Sequence, residues 1–403
     1  MNTPRFIQIH SLHTYPAALI NRGDDGLAKQ LPLGGVMRTR ISSQCLKRHW
    51  QHTENHFSLS HLGIPLEERS SYFLHAIREK LEQAGISVEL SAAAVLGLCD
   101  GLGLTQDKKK KDKFKTSEVL LLGASEVRYL LSFCLELAKQ HSDEKNLIQA
   151  IKEKISGKPA KGEKSIKENM EVMMRECGLV SALFGRMVTS DVLTDREASI
   201  YVAHSFTVHK AEVENDYFTV VDDLMPGLDE RGSGGIFDTQ LSSGLYYGYV
   251  VVDVPQLVQN LEGVDFKDCF SPGTPAERRT LAGRVVQHLL HLIATVSPGA
   301  KRGSTAPFDW AKFMLVEAGD WQPRSLAGAF HDALPLAGEG GGIRQRAVDR
   351  LTREIGAMDD AYGAPLSRRF LAVDQGVEVP GAERLNLARL ADWAKEIIEQ
   401  GEC

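Results

Sequence analysis

No two cysteines in this sequence are spaced as Cys-x-x-Cys. The six present, Cys45, Cys99, Cys134, Cys177, Cys269 and Cys403, are scattered over 403 residues. That argues against a zinc knuckle or a dithiol redox pair and offers no disulfide framework, so the thiols read as reduced, as in a cytosolic protein. No apolar run is long enough to cross a bilayer, and the first residues lack the apolar core of a signal peptide, so a cytoplasmic location without a membrane partner is expected. There is no Walker loop, dinucleotide fingerprint, nucleophile elbow or His-Glu-x-x-His pair. Nothing therefore points positively to an enzyme, a cofactor or a metal. An excess of positive charge is lacking too: the formal net charge is -6, and any nucleic-acid surface must be a local patch.

One such patch stands out. The stretch from Met37 to Trp50 carries Arg38, Arg40, Lys47 and Arg48 and no acid. Ser42 or Ser43 is a good N-cap, since a hydroxyl there accepts from the unpaired amides of a first helical turn. A helix starting at that point places Gln44, Lys47, Arg48 and Gln51 on one face and turns Leu46 and Trp50 inward. With an electropositive helix start and two serines, the segment can hold phosphate. The plainer reading is a solvated basic helix.

The chain around it divides by character. Phe6 to Leu12 alternates like a strand, with Ile7 and Ile9 on one face and Phe6, Gln8 and His10 on the other. Gly34-Gly35 breaks the chain before the basic segment. Residues 66 to 200 read as a mostly helical insert, with helices over 70–84 and 126–140 and lysine-rich loops at Lys108–Lys111 and from Lys145 to Lys167. Strands are expected at 199–209, 216–223, 245–253 and 312–317, and helices at 275–296, 343–358 and 383–400. The long arm between the strands near 216 and 245 exceeds an ordinary connection.

On that arm, Tyr217 and Phe218 either pack as a plain hairpin or present aromatic faces to bases. Lys301 and Arg302, in a glycine-containing loop, either cradle a backbone phosphate or simply join a helix to a strand. Asp222-Asp223, His204 and His209 match no metal or acid/base spacing, and structural roles suit them better. The lysine runs read as solvated loops or as diffuse contacts to a nucleic-acid backbone.

Five segments occur here in a specific order: Arg40 to Arg48, Phe184-Gly185-Arg186-Met187, Tyr217 to Leu224, Ser243 to Tyr247, and Pro298 to Arg302. Together they resemble the repeated guide-RNA-binding backbone subunit of the type I-E CRISPR interference complex, Cascade, within the RAMP superfamily. The resemblance runs to at least residue 317. It implies an α+β fold: a modified RRM-like (ferredoxin-like) palm with an antiparallel sheet over 1–60 and 181–403, a helical fingers insertion over 61–180, and a protruding β-hairpin thumb at about 206–245. It implies a non-catalytic scaffold that polymerises along CRISPR RNA as a helical filament, with other Cascade subunits. Such a scaffold presents the guide to target DNA in antiviral defence, and a separate helicase-nuclease is recruited for cutting.

Carried over by position, Arg22, Ser42, Gln44, Lys47 and Arg48 hold guide phosphates, with Ser43 beside them and Lys29 on the same palm surface. Met187 contacts bases near a kink. Tyr217, Phe218 and Thr219 sit on the thumb, with Tyr217 where a tryptophan is expected. Lys145, Lys152, Lys154, Lys158, Lys161 and Lys164 meet the incoming duplex. Lys108–Lys111 has no counterpart. The aromatic strand motif with which an ordinary RRM stacks bases is absent, so no RNA reading on the sheet face is expected. The alternative is a backbone subunit that cleaves target RNA through a loop aspartate, here Asp24 or Asp25.

Overall fold

A computed structural model describes residues 3–107, 112–157, 164–176, 178–190, 192–221, 233–363 and 366–403. Along the chain come β1 (Phe6–Ala18), β2 (Gln30–Leu33), β3 (Val36–Ile41), α1 (Ser43–His52), β4 (Glu68–Ser70), α2 (Phe73–Gln83), α3 (Val88–Gly101), β5 (Leu120–Leu122), α4 (Ala124–Gln140), α5 (Glu144–Ser156), α6 (Ile166–Glu176) and α7 (Leu179–Phe184). There follow β6 (Ile200–Val202), β7 (Ser205–Thr207), β8 (Glu212–Val221), β9 (Ser233–Asp253), α8 (Val254–Glu262), α9 (Glu277–Thr295), α10 (Arg302–Thr305), β10 (Phe313–Gly319), α11 (Ile343–Tyr362), β11 (Ser367–Ala372), β12 (Ala382–Arg384) and α12 (Leu387–Gln400).

The chain forms two compact units. The first is Met1–Leu59, Ile200–Val254 and Pro272–Cys403; the second is Ser60–Ser199 and Pro255–Ser271. Where the sequence suggested a return to the palm at 181, the chain stays in the second unit until Ser199.

The first unit is built on a ten-stranded sheet in the order β12-β11-β10-β1-β9-β7-β3-β2, with β6 and β8 also paired to β9. Every pairing is antiparallel except β11 with β12. The architecture is α+β and consistent with an RRM-like palm. β1 is longer than its alternating core, and both of its faces are buried: Gln8 and His10 are as enclosed as Ile7 and Ile9. The Gly34-Gly35 break is the two-residue turn of the β2–β3 hairpin, with φ of +59° and +76°. Those positive angles are what the tight hairpin turn demands, and a side chain at Gly34 would also overlap the His331 carbonyl.

Several of the polar groups inside this sheet bond one another in a chain. The Leu326 amide donates to the Tyr247 hydroxyl at 3.1 Å, and that hydroxyl lies 2.8 Å from His10 Nδ1. His10 Nε2 lies 3.3 Å from Glu317, which also accepts from Arg324 and Arg368. A neutral His10 protonated on Nε2 fits every link.

His13, on the same strand, is held neutral. Burial pushes its pKa down to about 4; Asp309 raises it and Lys312 lowers it further. A histidine with a lowered folded pKa stabilises the fold above its unfolded value near 6.5, and that stability is lost as pH falls toward 4. The expected result is an acid-side loss of up to about 3 kcal/mol, read as a melting-temperature drop between pH 7.5 and 4.5 that shrinks in His13→Gln. An identical drop in both proteins would refute the assignment.

The second unit packs α2, α3, α4, α5 and α6 around a core that includes Leu74, Ile77, Leu98, Cys134 and Ile151. The stripe on α4 holds as read, with Leu130, Cys134 and Ala138 buried and Leu131 and Leu135 partly so. Glu126 accepts the Gly123 amide at the start of α4 and pairs with the buried Arg186 at 2.8 Å.

Candidate nucleic-acid interface

β3 delivers the chain into α1, and Ser42 is the cap. Its hydroxyl accepts from the Cys45 amide at 3.3 Å while its own amide donates to Asn21 Oδ1 at 2.8 Å. Ser43 lies in the first turn and donates to Gln44 Oε1. Cys45 and Leu46 pack against Tyr15, Ile20, Ile41 and Tyr246, and Trp50 is buried. Gln44 and Arg48 are exposed and Lys47 is half-buried. Gln51 departs from the expected outer face: it is buried beside Trp50 in the last turn.

Facing this region is the turn Gly23 to Ala28, closed by Gly23 N–H to Leu27 O at 2.7 Å and by the Arg22–Ala28 bridge. The Lys29 amide donates to Asn21 O, the Arg40 amide to Lys29 O, and the Ala28 amide to Gln240 Oε1 on β9. These bonds shape a cleft of about 650 Å³ lined by Asp24, Asp25, Lys29, Gln30, Arg40 and Gln240 among others. Arg22 stands behind the turn, its guanidinium next to Gly26.

Half-buried and exposed titratable groups report the field here. Burial pushes the Cys45 thiol up to about 11, against the pull of Lys29 and Arg302, which disfavours the thiolate. His49 is lowered by burial and by Arg302 and Arg48, although its hydrogen bond to the Cys45 carbonyl raises it. His52 is lowered by burial, Arg48 and His49, and His204 by burial, Arg40 and Lys29. Lys29, Arg40, Arg48 and Arg302, widely separated in sequence, thus act on one neighbourhood.

The two cations of the 300 loop differ in role. Arg302 donates to the Ser297 carbonyl and adds to the field at α1. Lys301 is occupied by the hairpin: its ammonium donates to Thr239 Oγ1 and lies 5.2 Å over the Phe218 ring. That ring is therefore anchored, whereas Tyr217, one residue earlier and on the opposite face of β8, is 69% exposed. The Thr219 backbone pairs with Ile236, and Asp222-Asp223 lies outside the described residues. The outer strand of this hairpin is acidic, with Glu212, Glu214 and Asp216 all exposed.

In the second unit, Met187 is 93% exposed at the rim of a cleft of about 430 Å³ that Arg69, Phe184 and Arg196 also line. Arg186 behind it is structural, donating to Leu121 O, Thr194 O and Glu126. Lys145, Lys154 and Lys164 are exposed, and Lys152 pairs with Asp100 at 3.4 Å. Lys158, Lys161 and the run Lys108–Lys111 lie outside the described residues.

Sequence reasoning did not single out Arg40 as a site residue, although it sits in the basic segment, nor Thr239 and Gln240, which have no local signal. His209 is structural, its Nε2 accepting the Leu245 amide and its Nδ1 donating to the Lys210 carbonyl. His204 Nδ1 lies 2.8 Å from Arg40 Nη1. Among the described residues, no group of three or more His, Cys, Asp or Glu could hold a metal ion, and no helix is long and apolar enough to cross a membrane.

A mixed sheet with a charged cleft and an aromatic hairpin defines the class, and comparison with solved structures agrees. The chain is similar to a chain of a "CRISPR RNA-guided surveillance complex, pre-nicking", at 26% identity and a TM-score of 0.76, covering 98% of this chain and all of that one. A chain of a "CRISPR RNA-guided surveillance complex" shares the fold at 22% identity and a TM-score of 0.67, covering 97% of this chain and 99% of that one. The model of the CT1975-like protein family matches residues 7–399, and the protein belongs to that family. No curated protein matches.

Proposed function

We propose that the protein is a non-catalytic scaffold that grips guide RNA as the repeated backbone subunit of a CRISPR RNA-guided surveillance complex. The type I-E Cascade assignment rests on the order of the sequence motifs. In this reading copies polymerise along CRISPR RNA beside other Cascade subunits, in the cytoplasm. The guide stays open to target DNA, and a separate helicase-nuclease cuts.

The observation that carries the proposal is the cleft that Lys29 and Arg40 line, with Lys29 and Arg302 also acting on Cys45 in the first turn of α1. A scaffold that must take any guide binds phosphate and sugar and stacks without reading base edges. The hairpin suits the second task only. Its exposed strand is acidic and cannot grip phosphate, but it offers the Tyr217 ring.

The test is removal of the hairpin between Asp216 and Leu241. RNA contact should be impaired less than assembly, because Arg40, Lys47 and Arg48 stay although Gln240 is lost from the cleft, while ordered assembly seen by electron microscopy should be lost. Intact filaments would refute the role given to the hairpin. The same assembled wild-type complex should leave complementary RNA uncut in magnesium. Regular cuts abolished by Asp24→Ala would replace the scaffold with a nuclease.

A further inference from the structure

We propose that His204 is a positioning residue for the RNA grip: its Nδ1 accepts a hydrogen bond from Arg40 and fixes that guanidinium in the cleft beside α1, where it meets a backbone phosphate. The inference rests on the RNA-binding reading above.

The strand pairing of Arg40 with Phe206 brings the side chain of Arg40 to the start of β7, where His204 is the second residue before Phe206. Arg40 Nη1 lies 2.8 Å from His204 Nδ1, and Arg40 Nε donates to the Gln30 carbonyl at 3.2 Å. Arginine only donates and stays protonated, so the direction of the first bond is fixed and Nδ1 must carry its lone pair. The neutral Nε2–H tautomer is therefore required. His204 is exposed, and partial desolvation together with the nearby Arg40 and Lys29 holds it toward that neutral form. Protonation would remove the acceptor and set two cations against each other.

The two tethers use two of the five N–H groups of Arg40. The remaining three keep the planar fork that suits phosphate. Neither tether is a carboxylate, so the charge of Arg40 is oriented without being neutralised. His209 makes the contrast: both of its nitrogens serve backbone groups, as a structural histidine does, while His204 serves a cation lining the cleft.

The experiment measures binding of the full-length protein to a fluorescent single-stranded RNA of mixed sequence, with thermal melts alongside. Five variants are compared with wild type: His204→Ala, His204→Asn, Arg40→Ala, the His204→Ala/Arg40→Ala double and Lys47→Ala/Arg48→Ala. His204→Ala should weaken binding about fivefold, the ordinary net value of one hydrogen bond, because this one is exposed to solvent. His204→Asn should restore it to within about twofold, because asparagine Oδ1 can stand where Nδ1 stands and accept the same bond. The His204→Ala/Arg40→Ala double should bind no worse than Arg40→Ala alone. Wild-type affinity in His204→Ala, or failure of asparagine to rescue together with additive losses in the double variant, would overturn the proposal and leave the RNA reading standing. If Arg40→Ala and Lys47→Ala/Arg48→Ala all bind RNA as wild type does, both readings fall.

Discussion

Replacing Lys47 and Arg48 together with alanine should weaken binding to single-stranded RNA by about ten- to a hundredfold at low salt, equally for all sequences. The slope of log affinity against log salt should fall by roughly 1.4, the single-strand value for two lost phosphate contacts. The equality across sequences follows from what the side chains offer: ammonium and guanidinium groups on the outer face of α1, with no base edge selected. Unfolding is not the expected cause. Alanine is the best helix former, and the Ser42 cap and the inward Cys45, Leu46 and Trp50 are untouched. An unchanged salt slope would show that α1 does not face phosphate. A loss confined to some sequences would point to base reading.

The largest stability effect belongs to Glu317→Ala. Glu317 is fully buried on β10 and accepts from Arg324 at 2.6 and 3.0 Å, from Arg368 at 2.7 Å and from His10 at 3.3 Å. Burial alone would raise its pKa, but the hydrogen bonds from His10 and Arg324 outweigh it and hold the carboxyl well below the ordinary carboxylate range. Removing it strands the buried Arg368, which keeps only Asp359 as an ionic partner. Removing one partner of a buried ion pair costs about 3–5 kcal/mol, because the other charge is left uncompensated. For a unit of this size that is a fall in melting temperature on the order of 10 °C. A shift of about 2 °C or less would mean that Arg368 finds solvent or another acid, and that the network is not the keystone of β1, β10 and β11.

What the sequence made legible was local. β1, α4, α9, α11 and α12 declare themselves by apolar period, because each buries one stripe or both faces against a neighbour. The β2–β3 hairpin hid behind Gly34-Gly35, which read as a break although two positive φ values are what a tight hairpin needs. The strand expected over 199–209 is two short ones, parted at Ala203 and His204. Gln51 was misplaced because helical spacing defines a face but not which turn dives inward; the last turn of α1 carries it under, beside Trp50. In the cleft, Lys47 and Arg48 were legible as a cluster. The partnerships of Arg40 with His204, at a separation of 164, and of Lys301 with Thr239, at 62, exist only once the sheet has closed.

The acidic outer strand of the hairpin has one more consequence. Among the described residues β8 pairs only with β9, so its other edge presents backbone groups that could template a further strand. Charged side chains along such an edge discourage that addition. Glu212, Glu214 and Asp216 lie along it, so the groups that make the hairpin a poor phosphate ligand also guard the lone subunit against edge-to-edge aggregation.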